Sequence, residues 1–252
     1  MKRLLLTLMV LLTGLPLFAQ KIEVSLQANS GLFHFGGLSA TANSSIIQSS
    51  VTGSTQNYTN NPYGSRNAVS YGFGAQVQAV SKSNFIVGLQ ATYDFLASKV
   101  NINQYTPYSP AVFDNDPDAS YITAPSANMA VKGSTNLQTR FINLNPYIGY
   151  RVQLQKVKLD ILPGIDIGFN LSGYDKGTVK DADDKVYIIN NKINAPSTDI
   201  RLRLGLAATY NQFGITASYA RGLTNYEGNM LGDVKIEAHS QLIRFGISYR
   251  IF

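Results

Sequence analysis

The sequence holds two histidines and no cysteine, so nucleophilic chemistry would have to be built on His34 or His239. His239 precedes Ser240. Neighbours along a strand point to opposite faces, so these two do not form a nucleophile–base pair. Glu237 and His239 share a face at base–orienter spacing, but no serine stands at a matching position to complete a triad. The expectation is a chain without a catalytic set, with a lipid-modifying hydrolase centred on His239 or His34 as the alternative. Asp114-Asn115-Asp116-Pro117-Asp118 clusters hard oxygen ligands of the kind calcium takes. It lacks the following glycine and the distal glutamate of a calcium loop. Asp181, Asp183 and Asp184 are a weaker case. Both clusters are expected to be solvated loop tips, with no metal and no cofactor.

A second set of charges recurs at alternate positions, each flanked by apolar residues. It comprises Glu23, Asp94, Arg151, Asp160, Asp166, Arg201, Arg203, Arg244 and Arg250. Arg151 and Asp160 stand almost symmetrically about Gln155-Lys156, so a hairpin there sets them side by side. Glu23 and Arg250 approach each other if the first and last strands pair. Charges removed from water need partners. The expectation is therefore an ion-paired, side-chain-filled interior and no open channel, with a small-solute channel as the alternative.

The elements that would position these charges are strands. In Lys158 to Leu171, Leu159, Ile161, Ile165, Ile167, Phe169 and Leu171 share one phase, and Lys158, Asp160, Asp166 and Asn170 share the other. A period of two is that of a strand with one oily and one wet face. Eight such segments are expected: residues 22–35, 69–80, 85–97, 141–154, 158–171, 199–210, 213–221 and 241–252. Short connections (81–83, 155–156, 211–212) alternate with long ones, roughly 36–68, 99–140, 173–198 and 222–240. Compact soluble domains rarely carry four structureless loops of that length, whereas outer-membrane barrels pair short turns on one rim with long loops on the other. Across the middle of every segment the apolar phase carries no Asp, Glu, Lys or Arg, and the polar phase carries the charges and many glycines. A soluble barrel would show the reverse. Tyr71, Tyr93, Tyr150, Tyr210, Tyr219 and Tyr249 lie in the apolar phase, mostly toward segment ends, as an aromatic girdle at a lipid–water boundary would. Pro146 and Pro163 fall inside two segments, where each removes a ladder hydrogen bond, and a bulge is expected there.

Composition agrees. Only 14% of the 252 residues are charged, while Tyr (15), Phe (12) and Gly (21) are plentiful, a mix suited to pleated two-faced strands. Lys2, Arg3, the apolar run Leu4 to Leu12 and Leu17-Phe18-Ala19 read as a secretory signal peptide cleaved after Ala19. Cleavage leaves a domain of residues 20–252 with net charge +4, a mild balance that argues for no nucleic-acid partner.

The chain resembles the small outer-membrane β-barrels known as porin-family or PorT-like proteins. The likeness rests on the Phe-Ala-Gln signal end, Tyr71-Gly72-Phe73-Gly74-Ala75, Asn145-Pro146-Tyr147-Ile148-Gly149-Tyr150 and the closing Phe245-Gly246-Ile247-Ser248-Tyr249-Arg250-Ile251-Phe252. It implies that Tyr249, Ile251 and Phe252 form a C-terminal signal read by the barrel-insertion machinery, although Phe252 is out of phase with the apolar face. The expected fold is all-β: an eight-stranded antiparallel up-and-down transmembrane β-barrel with short periplasmic turns and four long extracellular loops. The expected protein is a monomeric, non-enzymatic component of the cell outer membrane, in contact with outer-membrane lipid. Its polar loops would serve recognition of an extracellular or envelope protein partner, or envelope integrity.

Overall fold

A computed structural model describes residues 19–51, 54–108, 127–228 and 235–252. Most of the signal segment and the Asp114–Asp118 cluster lie outside the described residues.

The described chain forms eleven strands in one sheet. They are β1 (Ala19–Gly36), β2 (Asn43–Val51), β3 (Ser54–Thr59), β4 (Arg66–Ser81), β5 (Phe85–Thr106), β6 (Met129–Leu154), β7 (Val157–Lys180), β8 (Val186–Lys192), β9 (Thr198–Tyr210), β10 (Phe213–Gly222) and β11 (His239–Arg250). Eight of them pair antiparallel in a path that returns to its start: β1 with β4, then β5, β6, β7, β9, β10, β11 and β1 again. The ring therefore leaves no open sheet edge. The three tight turns between ring strands each contain a residue in the left-handed region: Asn84, Gln155 and Asn211. Asparagine tolerates that conformation better than most residues.

Strands β5, β6 and β7 are 22, 26 and 24 residues long and rise well past the rest of the ring. Around them stands an upper storey. Strand β2 pairs parallel with β5, β3 pairs with β2, and β8 pairs with β7. The two outer strands of this storey meet through Asn57, whose amide donates to the Ile188 carbonyl (3.1 Å) and whose own carbonyl accepts from Asn191 (2.6 Å).

This corrects the expectation of eight strands joined by four structureless loops. Residues 36–68 contain β2 and β3, residues 99–140 contain the upper ends of β5 and β6, and residues 173–198 contain the end of β7 and β8. Alternation persists in these segments, but Ser, Asn and Thr occupy both faces, so the contrast between faces is weak. It is nonetheless real. Ile46, Val100, Ile102, Tyr105, Val131, Val179, Tyr187 and Ile189 form a buried core inside the storey.

The bulge also falls elsewhere than expected. Tyr147 opposes Gly164 and Tyr150 opposes Ile161 in one unbroken register, so the β6–β7 ladder runs past Pro146 and Pro163 without an inserted residue. Each proline lacks a donor, and pairing lapses locally without shifting. The shift lies at Leu171, between the pairs Arg140–Ser172 and Phe141–Asn170. One extra residue there exchanges the faces of β7, so that Asp175 and Val179 point inward above it.

Asp175 is buried in a polar layer with Ser98, Thr135 and Thr139, and its Oδ1 has no hydrogen-bond partner among the described residues. Burial pushes its carboxyl above the usual range, against the opposing pull of hydrogen bonds from Thr59 and Thr135. A carboxyl whose folded pKa is raised supports stability below its unfolded value and loses that support as pH rises through the folded value. Asp175→Asn is therefore expected to unfold at higher urea than the parent near neutral pH, with the gap closing as pH is lowered. Circular dichroism read across a pH series checks this.

Candidate functional site

Below the β7 bulge the inward phase of the ring strands carries five carboxylates and five guanidiniums in three tiers. At the turn end, Glu23 from β1 accepts from both terminal nitrogens of Arg151 on β6 (3.0 and 2.8 Å), and Arg151 also grips Asp160 on β7 (2.7 and 2.8 Å). Arg250 of β11 reaches the same Glu23 carboxylate at 2.9 Å, and Gln78 donates to it at 2.8 Å. Lys21 and Lys158 approach it at 3.6 Å from the more exposed rim. The local cause is register: the Gln155-Lys156 turn sets Arg151 opposite Asp160.

The middle tier is amide-rich. Gln27, Gln76, Gln78 and Gln90 link in a chain of hydrogen bonds, and Arg203 donates to Gln90 at 2.8 Å. The Tyr147 hydroxyl donates to Gln78 at 3.0 Å. Its ring lies where a side chain at Gly88 would stand, since a Cβ there would come within 2.3 Å of the ring. Between Gln27, Gln90, Tyr147 and Arg203 remains a cavity of about 20 Å³, room for about one water molecule. A larger concavity, about 660 Å³, is lined chiefly by apolar residues such as Leu26, Ala208, Phe213 and Ile215 and by none of the charged groups.

In the third tier Arg244 of β11 bridges Asp94 of β5 (2.6 Å) and Asp166 of β7 (3.1 Å), and Arg203 reaches Asp166 at 3.3 Å. Asn143 also donates to Asp94. Arg201 is fully buried, donates to Ser240 and Asn143 (3.1 and 3.3 Å), and lies 5.2 Å from the Phe141 ring centroid. Asp199 approaches it at 2.6 Å, yet that nitrogen makes no aligned hydrogen bond. The contact is one of charge, while the Tyr226 hydroxyl supplies the Asp199 hydrogen bond at 2.6 Å. Above this tier Phe33, Phe35, Leu96, Leu137, Phe141, Tyr226 and Leu242 pack into an apolar plug.

All nine sequence-derived interior charges thus stand in these tiers. Asp199, Tyr147 and the glutamine chain were missed. Asp199 carries a legible signal, because it shares a phase with Arg201 and Arg203.

The outward face reads differently. Tyr150, Tyr210 and Tyr249 stand near the turns beside Phe85 and Phe213. Tyr71 stacks on Phe95 at 5.0 Å, Tyr93 lies against Phe73, and Tyr219 stands near Gln241. Phe85 and Phe95 are ten residues apart on β5. At ~3.3 Å per residue and a tilt of roughly 40°, the two aromatic levels lie about 25 Å apart. Past the upper level the faces exchange polarity. On β5 the outward residues pass from Leu89, Tyr93 and Phe95 to Lys99 and Asn101, while the inward ones pass from Gln90, Thr92 and Asp94 to Leu96, Val100 and Ile102. On β6 outward Ile142 gives way to Arg140, and inward Asn143 gives way to Phe141 and Leu137. On β1 outward Leu32 gives way to His34, on β10 Tyr219 to Arg221, and on β11 Ile243 to Gln241. One surface therefore meets a medium without hydrogen bonds below and water above.

The remaining candidates are not brought together. His239 is engaged through Nδ1 with the Thr224 carbonyl (3.0 Å), Glu237 with Lys235 (2.6 Å), and Ser240 with Arg201. His34 lies on the outward phase of β1 opposite Gln241. Asp181 accepts from the amides of Asp183 and Lys185 and from the Tyr187 hydroxyl, which makes it the organiser of a turn. Among the described residues no cluster of three metal-binding side chains occurs. Ile251 and Phe252 extend the β11–β1 pairing through Val24, both with exposed side chains.

Arg151→Met would leave Glu23 and Asp160 buried beside each other without their shared cation. A loss of ~3–5 kcal/mol is expected. Part of it should be recovered in the double variant R151M/D160N, which removes the stranded Asp160 charge and leaves Glu23 with Arg250, and urea unfolding of the purified, refolded proteins measures both.

No curated protein matches the sequence. Among solved structures the chain is similar to the attachment invasion locus protein Ail of Yersinia pestis (12% identity, 91% of this chain and 97% of that one, TM-score 0.31). It is also similar to Neisserial surface protein A (10%, 91% and 99%, TM-score 0.30) and to the translocator domain of autotransporter NalP from Neisseria meningitidis (13%, 97% and 94%, TM-score 0.24). Residues 18–227 match the family model of the outer membrane protein beta-barrel domain, and the chain belongs to that family.

Proposed function

We propose that the ring is an eight-stranded transmembrane barrel, closed to solutes, that carries its functional surface on the storey above the membrane. The exchange of polarity along the strands supports this reading. In the lower tier the apolar residues face out and the charges face in, as lipid requires. In the upper tier the apolar residues pack inward and the polar ones face out, as water requires. The short turns then lie on the periplasmic side and the storey with its connecting loops on the extracellular side. The mature chain would start at Gln20, and the machinery that inserts barrels would read Tyr249, Ile251 and Phe252.

The filled interior argues against a conducting channel. Arg151, Arg201, Arg203 and Arg244 tie strands that are not neighbours in the ring, and the aromatic plug lies across the upper mouth. The reading is therefore a monomeric, non-enzymatic outer-membrane protein, with recognition of an extracellular or envelope protein, or envelope integrity, as its role.

A pair of substitutions separates the two media. Leu206→Arg, midway down the outward face of β9, is expected to cost ~2–4 kcal/mol in phosphatidylcholine vesicles. Thr178→Arg, outward on the upper storey, is expected to stay within ~0.5 kcal/mol of the parent. Urea titrations followed by heat-dependent gel mobility measure both, and equal costs would contradict the reading. In planar bilayers the parent protein should show no large stable conductance steps.

A further inference from the structure

We propose that the outward face of β5–β8, directly above the apolar belt, binds the multiply phosphorylated headgroup of a membrane lipid whose acyl chains lie on the belt beneath. The inference rests on the transmembrane reading above and names a ligand for its upper surface.

This face carries Lys99, Lys132, Arg140, Lys176, Lys180 and Lys192. The pairing places them in successive rows: Arg140 beside Ser172, Lys192 beside Tyr174, Lys99 and Lys176 flanking Asn136, and Lys132 directly opposite Lys180. Their neighbours in the same phase are Asn, Ser, Thr, Gln, Tyr, Ile and Val, with no Asp or Glu among the described residues of these rows. The contact of Lys180 with Asp184, at 3.4 Å in the turn beyond, is the one ion pair these six cations make among the described residues.

Two features separate this face from an ordinary solvated one. Like charges directly opposed across an antiparallel pair are destabilising, and Lys132 faces Lys180 without an acid between them. The contrast with the interior is plain, since all five interior arginines have carboxylate partners. The geometry then selects the ligand. Neighbouring strands lie ~4.8 Å apart and successive same-face residues ~6.7 Å apart, so the cations span three strand spacings across, counted from β5 to β8, and roughly 25 Å along. That area suits several phosphates, with Arg140 able to grip one bidentately. Arg140 lies at the level of Phe95, and Ile142, Phe169 and Leu171 are exposed just below it. A molecule touching both surfaces has phosphates at one end and hydrocarbon at the other.

The test compares the parent with K132Q/K176Q/K192Q, all exposed positions outside the cores. Each protein is refolded into phosphatidylcholine vesicles with and without lipid A, a bisphosphorylated glycolipid. Insertion is read by heat-dependent mobility and bound lipid A by native mass spectrometry after extraction. A cation near a charged membrane surface contributes about fivefold to binding, so the variant should retain lipid A on the order of a hundredfold less while inserting normally. Equal retention by the two proteins overturns the proposal. Displacement of lipid A by equimolar soluble tripolyphosphate also overturns it, by assigning the face to a free polyanion. Failure of the parent to insert into vesicles without lipid A would overturn the transmembrane reading itself, and this proposal with it.

Discussion

Everything in this molecule follows from one constraint: the middle of its outer wall offers backbone to a medium that cannot hydrogen-bond. A sheet there cannot end, because an edge strand would leave a row of unmet donors and acceptors. The path from β1 back to β1 meets that demand, with β11 as the last link. Closure in turn creates an interior too narrow to leave wet, and the inward phase must fill it. Side chains long enough to reach across and polar enough to meet one another are Arg, Gln, Glu and Asp, and these occupy the three tiers.

Buried ion pairs add little net stability over well-packed apolar residues, because desolvation offsets most of the attraction. Their contribution here is geometric. Arg244 joins β11 to β5 and β7, and Arg151 joins β6 to β1. A slipped ring would separate these partners and strand charges in a dry space. The five carboxylates and five guanidiniums of the tiers also balance one another in charge. The apolar plug above then divides this polar interior from the second, oily one of the upper storey.

Much of the lower ring was legible in the sequence because the medium there enforces strict alternation. Glu23, Asp94, Arg151 and Arg244 stand out as charges framed by Ile, Val, Phe and Tyr, and the turn at Gln155-Lys156 fixes one register directly. The upper storey was hidden for a physical reason. Its outward face meets water, which accepts Ser, Thr and Asn as readily as Lys. Its inward face includes Ser98, Thr135 and Asp175, so neither phase is pure. Leu171 adds a phase change in mid-strand that a two-residue template reads as the end of a strand. The signal that was present, and passed over, is the reversal itself: Phe95 then Leu96 on β5, and Phe141 then Arg140 on β6, swap which face is oily. The aromatic levels were readable because the tyrosines of the apolar phase, Tyr71, Tyr93, Tyr150, Tyr210, Tyr219 and Tyr249, stand toward its two boundaries.

That reversal has a consequence for alignment. A strand that merely alternates looks the same to its neighbour after a slip of two residues, so its pattern cannot distinguish among several stagger positions. A strand whose pattern inverts at one point carries an origin. Shifting β5 by two residues against β6 would carry Phe95 above Arg140 or Asn101 toward the hydrocarbon, and either error grows with each further step. The inversion works as the zero mark on a ruler, and each of β1, β5, β6, β10 and β11 bears one.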